Sequence, residues 1–369
     1  MKTTKKAALS GLALTASAVL LAGCGSAPEE TTGGSGGGAE SDFLPCMISD
    51  EGGFDDKSFN QSAKEGMDRA IEELGIEGTE MESTNANDYA PNLETLVSEG
   101  CSLIISVGFN LSAATVESAL ANPDVDYAII DDWADNDFDG ETDAPNIKPL
   151  VFDTAQAAYL GGYAAAAWSA QSGVNKVGTF GGAQIPSVAV FMDGYQLGVE
   201  KYNEDKGANV EVVGWDVESQ TGSFTGGFEA NDVARQTAQG ILDQGVDVIL
   251  PVGGPIYTSA AAAIQDSGDD VLMIGVDSDL AVKEPDLADL VYVSIQKAID
   301  QAVFDATTTA ATGEFDVEPY VGTLENEGVT LSSFHDFESQ LPEGLTDELA
   351  ALQEQIIAGD IVVESPNSP

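Results

Sequence analysis

Positive charge is what this chain most lacks. Its 369 residues carry 13 lysines and arginines against 63 acids, for a formal net charge of −50 at pH 7. Three of those cations, Lys2, Lys5 and Lys6, stand ahead of the first apolar run, so the remainder is more acidic still. Such a surface repels nucleic-acid phosphates and anionic headgroups, which excludes sequence-independent binding to either. Histidine is nearly absent. His335 alone, in the C-terminal region, supplies no zinc-binding pair and no base at the strand ends where a catalytic group would be built. A phosphate-cradling glycine loop followed directly by lysine, the mark of nucleotide hydrolases, is missing too.

Long hydrophobic runs are equally scarce. The first residues, MKTTKKAALSGLALTASAVLLAGC, read as a secretory leader, too short and alanine-rich for a membrane span. The run closes on Leu21-Ala22-Gly23-Cys24, a bacterial lipobox pattern. Removal of residues 1–23, lipidation of Cys24 and a flexible glycine-rich tether over 24–42 are therefore expected. The chain would then sit on the extracytoplasmic face of the cell membrane, touching it through the lipid anchor only. Cysteine is limited to Cys24, Cys46 and Cys101. In an oxidising compartment Cys46 and Cys101, each opening an apolar run, are expected to pair, with the two thiols level if the runs are neighbouring parallel strands.

Past the tether, short apolar runs alternate with amphipathic segments. Strands are expected at 44–48, 102–107, 125–130, 149–152, 175–180, 209–214, 246–252, 271–276 and 290–295. Between them lie helical patterns such as 58–74, where Ala63, Met67, Ala70, Ile71 and Leu74 recur at helical spacing and Gly75 ends the run. This alternation predicts an α/β fold with helix-covered parallel sheets, and the length calls for two of them. Open parallel sheets bind ligands beyond the carboxyl ends of their strands. One such end carries "SDEGGFDDKSFNQSAKEG", residues 49–66. Ser58 and Gln61 form a capping-box pattern that would start a helix with Phe59 and Asn60 in its first turn, and Asp55 and Asp56 suit its N-terminus. Asp131, Gly253 and Asp277 stand at other strand ends. The acidic loop 132–139 lacks the closing glutamate of a calcium loop, so neither a metal nor a cofactor is expected. Phe109, Trp133, Trp168 and Trp215 are read as core or rim.

Taken in order, "DEGGFDDKSFNQSAKEG", "ISVGFNLSAATVESALANPDVDYAIID", "LGGYAAA", "VGTFGGAQIPSV", "DVILPVGG", "IGVDSD" and "VSIQKAID" resemble the basic membrane protein family of substrate-binding lipoproteins, which includes purine nucleoside receptors. The resemblance spans about residues 44–330. It implies a type I periplasmic-binding-protein fold: two doubly wound α/β domains joined by three crossing segments near 152, 293 and 315. The domains would be 43–152 with 293–314, and 153–292 with 315–369. It further implies a monomeric receptor that delivers its ligand to ABC permease subunits. By residue, Asp50 and Asn60 match positions that hydrogen-bond the base, Phe59 the aromatic stacked on it, and Asp131, Asp277 and Lys297 the groups holding the ribose. Gly253 matches a backbone contact. Leu250 falls where the family's second aromatic covers the base, a departure from the pattern.

The residue chemistry agrees. A purine offers a flat face to Phe59 and a mixed donor–acceptor edge to the amide of Asn60 and the carboxylate of Asp50. Ribose hydroxyls are donors first and suit Asp131 and Asp277, with Lys297 offsetting their charge. The residues do not choose among adenosine, guanosine and inosine, and leave open a sugar or nucleobase. A nucleoside or glycoside hydrolase is the contrasting reading, with Asp50, Asp55 and Asp56 as its acids.

Overall fold

The computed structural model describes residues 43–369. The leader, Cys24 and the tether lie outside the described residues. The chain lays down β1 (Pro45–Ser49), β2 (Thr79–Glu82), β3 (Leu103–Val107), β4 (Asp126–Ile130) and β5 (Ile147–Phe152), interleaved with α1 (Phe59–Leu74), α2 (Tyr89–Glu99) and α3 (Ser112–Ala121). It then crosses over. Helices α4 (Thr154–Ser172) and α5 (Pro186–Lys206) flank β6 (Lys176–Gly181) and precede β7 (Glu211–Val213), followed by a small hairpin of β8 (Trp215–Asp216) and β9 (Thr221–Gly222). Next come α6 (Asp232–Leu242), β10 (Val248–Val252), α7 (Ile256–Ser267), β11 (Leu272–Asp277), the short α8 (Leu280–Lys283) and β12 (Val291–Lys297). The chain returns through α9 (Ile299–Ala311) and β13 (Tyr320–Gly322), then crosses a third time to β14 (Val329–Leu331) and α10 (Leu345–Ile357).

Two six-stranded sheets result, ordered β13-β5-β4-β3-β1-β2 and β14-β12-β11-β10-β6-β7. Every neighbouring pair is parallel except β12 with β14. The α/β class and the doubly wound sheets expected from the sequence are present. Side-chain alternation sorts each strand between two cores. In β3, Leu103, Ile105 and Val107 face the larger core, while Ile104 joins Cys46, Ile48 and Leu93 on the opposite face.

Three local expectations change. Residues 293–297 stay in the second sheet as the end of β12, and 320–322 still belong to the first. The second and third crossings therefore follow Lys297 and Gly322 rather than lying near 293 and 315. The alternation of "VYVSIQK" simply continues past 293, and a three-residue strand leaves no periodic signal. Lys148 ties residues 316–318 to the first lobe through Asp316 and the Glu318 carbonyl (2.5 and 2.6 Å). Second, the expected Cys46–Cys101 disulfide is present (Cα–Cα 5.8 Å) but joins β1 to the turn before β3 rather than to its first residue. The thiols do not start level, because Cys46 pairs across the sheet with Ile104. Third, α1 has no capping box. Ser58 makes no side-chain cap. Asp56 accepts the backbone N–H groups of Ser58, Asn60 and Gln61 at 2.9, 3.0 and 3.0 Å. A buried carboxylate with three donors outcompetes a hydroxyl for the positive end of the helix.

Candidate functional site

Because every strand of the two sheets except β14 runs parallel within its lobe, the carboxyl ends gather the following loops around one cleft of about 480 Å³, part of it open to solvent. Its first wall is the start of α1. Asp56 fixes that first turn, which presents Phe59 half-buried and Asn60 buried. The Asn60 amide donates to Asp50 Oδ1 at 3.4 Å, while its own carbonyl oxygen is buried without a partner. An unpaired buried acceptor beside an aromatic face is a ready place for a ligand N–H. Asp50 extends β1, its N–H donating to the Val107 carbonyl. Burial drives the Asp50 carboxyl well above the usual carboxylate range; Asn60 pulls the other way, and the charges of Asp56, Glu51 and Asp131 add to the rise.

The floor is a cluster of opposite charges. Asp131 follows β4 and Asp277 ends β11, both at φ 65, a left-handed conformation that turns their side chains out of the strand course. Lys297, ending β12, is 2.6 Å from Asp131 Oδ2 and 3.9 Å from Asp277 Oδ1. Its ammonium also lies 4.9 Å from the ring centre of Phe191 and 5.5 Å from that of Phe59, so aromatic faces share in stabilising the buried charge. Asp277 Oδ2 accepts the Ser58 hydroxyl at 2.7 Å. Burial pushes the Asp277 carboxyl up to about 6 against the pull of Lys297 and Ser58, and it raises Asp131 too, opposed by Lys297. With Asp50, Asp56, Asp131 and Asp277 around one lysine, the cavity disfavours anions and favours ligands rich in hydroxyl and N–H donors.

Of the residues read from the sequence, Asp50, Phe59, Asn60, Asp131, Gly253, Asp277 and Lys297 all line this cavity. Leu250 does not. It is fully buried mid-strand in β10, facing the core, two residues short of the strand end where the site begins. The aromatic on this side is Phe228, which lines the cavity from the loop before α6. Its ring lies so close to the backbone that a Cβ on Gly182 or Gly253 would approach it to 2.5 or 2.7 Å. The requirement for glycine at those two positions was the only sequence signal that an aromatic packs there. The hydrolase triad does not assemble: Asp55 is exposed and paired with Lys57, and Asp56 is occupied as the helix cap. Trp215 and Trp168 belong to the packing, whereas Phe109 reaches the cavity. In the loop after β4, Asp135, Asp137 and Asp143 bring carboxylate oxygens within 4.8 Å of one another.

The two lobes also touch directly. Beside the Ser58–Asp277 bond, Ser278 donates to the Lys57 carbonyl at 3.0 Å and Lys283 of α8 meets Glu65 of α1 at 2.6 Å.

The family model of Bmp, described as ABC transporter substrate-binding protein PnrA-like, matches residues 43–366. The chain belongs to the Bmp family. Among Bmp relatives, the ABC transporter nucleoside-binding protein BmpA of Lactococcus lactis subsp. cremoris is 29% identical over 97% of this chain and 98% of its own. Basic membrane protein A of Borreliella burgdorferi is 30% identical over 85% of this chain and 86% of its own. Among solved structures, an ABC transporter solute-binding protein from Aeropyrum pernix K1 superposes with a TM-score of 0.73 at 26% identity, covering 87% of this chain and 92% of that one. A solute-binding protein from Bacillus halodurans C-125, solved with bound myo-inositol, shares the fold at 15% identity and TM-score 0.56, covering 85% and 99%. This Bmp-family chain is thus an ABC transporter substrate-binding protein with a periplasmic-binding-protein fold. No helix among the described residues is long and apolar enough to cross a membrane.

Proposed function

We propose that the chain is a lipoprotein receptor, held outside the cell through Cys24, that binds a purine nucleoside between its lobes and delivers it to an ABC permease. The observation that carries the reading is the pairing of an unpartnered Asn60 carbonyl beside Phe59 with the buried Asp131–Lys297–Asp277 cluster. The base stacks on Phe59, with Phe228 as the second ring, and its N–H edge meets Asn60 and Asp50. The ribose hydroxyls donate to Asp131 and Asp277 while Lys297 balances their charge. Gly253 contributes backbone. The nucleoside named for the Lactococcus relative fits the same reading. A polyol or sugar is the second reading, since the acid cluster would accept its hydroxyls equally well.

Calorimetry on ligand-stripped protein tests this with adenosine, guanosine, inosine, the free bases and myo-inositol. Nucleosides should bind, and free bases should be weaker because each buried polar group left without ribose costs about 1–3 kcal/mol. No binding of any nucleoside at about 100 μM would defeat the assignment, and binding of the polyol alone would establish the second reading.

A further inference from the structure

The polar side chains that meet the base edge come from one short stretch of the first lobe. Asp50 and Glu51 follow β1, Asp56 precedes α1 and Asn60 stands in its first turn, and all four line the cleft. The other lining side chains that can donate a hydrogen bond, Lys297 and Ser187, come from β12 and α5 of the second lobe.

The orientation of the one amide in this stretch is fixed by its neighbours. Asn60 Nδ2 donates to Asp50 Oδ1 at 3.4 Å, and the same side chain helps draw down the Asp56 carboxyl, which burial pushes up. Turned over, the amide would aim its carbonyl oxygen at two carboxylates. Nδ2 therefore faces the acids, and Oδ1 is left buried without a partner. Asp50 is held as firmly. Its N–H donates to the Val107 carbonyl, and Gly108, at φ 117, leaves room where a Cβ would collide with Asp50 Oδ2. Among the described residues the Asp50 carboxylate accepts the Asn60 amide alone.

The base edge thus meets two acceptors in need of hydrogens, the Asn60 carbonyl and Asp50 Oδ2. Purines differ on this point. Guanine sets N1–H beside N2–H2, donor next to donor. Hypoxanthine keeps N1–H but has no amino group, and adenine places a ring-nitrogen lone pair on either side of its amino group. A site built to accept N–H groups rejects a ligand that lacks them, because its buried acceptors are left unpaired.

We propose that Asp50 and Asn60 make the cleft selective for guanosine: N1–H and N2–H2 of guanine donate to the two acceptors, inosine leaves one of them unpaired, and adenosine sets a lone pair against one. The proposal rests on the nucleoside reading above.

Protonation of Asp50 reverses the match. Burial drives its carboxyl up, Asn60 pulls it down, and the charges of Asp56, Glu51 and Asp131 add to the rise, so acidification gives this wall a donor. Tyr89 of α2 also feels Asp50, and burial keeps its hydroxyl protonated. A carboxylic acid beside the Asn60 carbonyl offers one donor and one acceptor, the complement of adenine N1 and its amino group. Asp131 and Asp277 titrate too, but in this reading they face the ribose that all three nucleosides share. The ratio of affinities therefore isolates Asp50.

Calorimetry with guanosine, inosine and adenosine near neutral pH tests this on the unaltered chain. Guanosine should bind tighter than inosine by about tenfold and tighter than adenosine by about 100-fold. From about pH 8 to about pH 5 the guanosine-to-adenosine ratio should fall by at least about threefold. Asp50→Asn exchanges one acceptor oxygen for an amide donor at nearly constant shape; it should weaken guanosine by about 100-fold and strengthen adenosine, inverting the ratio. Adenosine binding as tightly as guanosine overturns the selection and leaves the nucleoside reading intact. So does a ratio that stays level or rises on acidification, or one that Asp50→Asn leaves unchanged. If none of the three binds at about 100 μM, the nucleoside reading fails and the selection falls with it.

Discussion

Asp131 and Asp277 occupy matching places in the two lobes. Each stands at the carboxyl end of the third strand in its sheet, each has φ 65, and each carboxylate is nearly buried, 7% and 5% exposed. Their partners are crossed. Asp131 of the first lobe takes Lys297 from the second sheet at 2.6 Å, whereas Asp277 of the second takes the Ser58 hydroxyl from the first at 2.7 Å. Two equivalent positions thus become unequal acids: Asp131 holds the cation in direct contact, whereas Asp277 feels the same cation from 3.9 Å and adds a hydroxyl from the opposite lobe. Position in the sheet sets where a carboxylate points; the opposite lobe sets how well its charge is tolerated.

The largest expected effect comes from removing the cation both acids share. Lys297→Met leaves Asp131 and Asp277 buried without compensation and should cost about 3–5 kcal/mol in urea unfolding. Ligand affinity should fall by about 100-fold or more, as 1.4 kcal/mol is tenfold. Near-native affinity in this variant would show that the lysine balances charge without serving the ligand. Next is the covalent difference between the lobes. Cys46→Ser with Cys101→Ser opens a bridge of sequence separation 55 in the first lobe, for which the loop-entropy relation gives about 4 kcal/mol. Folded double variant should still bind ligand normally, since the bridge lies at the far end of β1 from Asp50; lost affinity with unchanged unfolding midpoint would contradict that separation.

The smallest effect, and the sharpest for the comparison, is pH dependence. With its folded value raised to about 6 from the ordinary carboxylate range near 3.9, Asp277 holds a proton in the folded state that the unfolded chain has already released between about pH 4 and 6. Stability therefore falls as pH rises through that window. Asp277→Asn should flatten this slope and at pH 7 be more stable than the wild type by about 2–3 kcal/mol. Asp131→Asn, which breaks the close Lys297 contact, should instead destabilise by about 1–3 kcal/mol. Urea midpoints from pH 4 to 7 separate the two; coincident profiles for both variants would erase the distinction drawn here.

Much of this architecture is legible without coordinates because buried parallel strands are unbroken apolar runs, and the polar residues after them announce where the sheet ends. Asp131 and Asp277 are found that way. Elements of two to four residues, such as β2 "TEME" and β13 "YVG", carry too little pattern to register. Leu250 shows a second limit: a motif match selects a strand, but only the register tells that the site begins two residues later. Phe228 lies in a glycine-rich loop with no periodicity, so its place becomes apparent only when its ring is seen against Gly182 and Gly253. Around Ser58 the sequence offers several acceptors for one helix end, and local rules do not say that Asp56 takes the role and releases the hydroxyl for other use.

That released hydroxyl bears on the energetics of transport. With Ser278–Lys57 and Lys283–Glu65 it forms a set of interlobe contacts that exist before any cargo arrives. A neutral hydrogen bond contributes about 0.5–1.5 kcal/mol and an exposed ion pair less than about 1 kcal/mol, so the set biases the lobes toward closure by only a few kcal/mol. Stronger contacts would raise apparent affinity by populating the competent form, yet an empty receptor locked shut would engage the permease as a loaded one does and drive ATP hydrolysis with nothing carried. Weak latches would leave the decisive part of any closure to the ligand, which would keep capture coupled to fuel consumption.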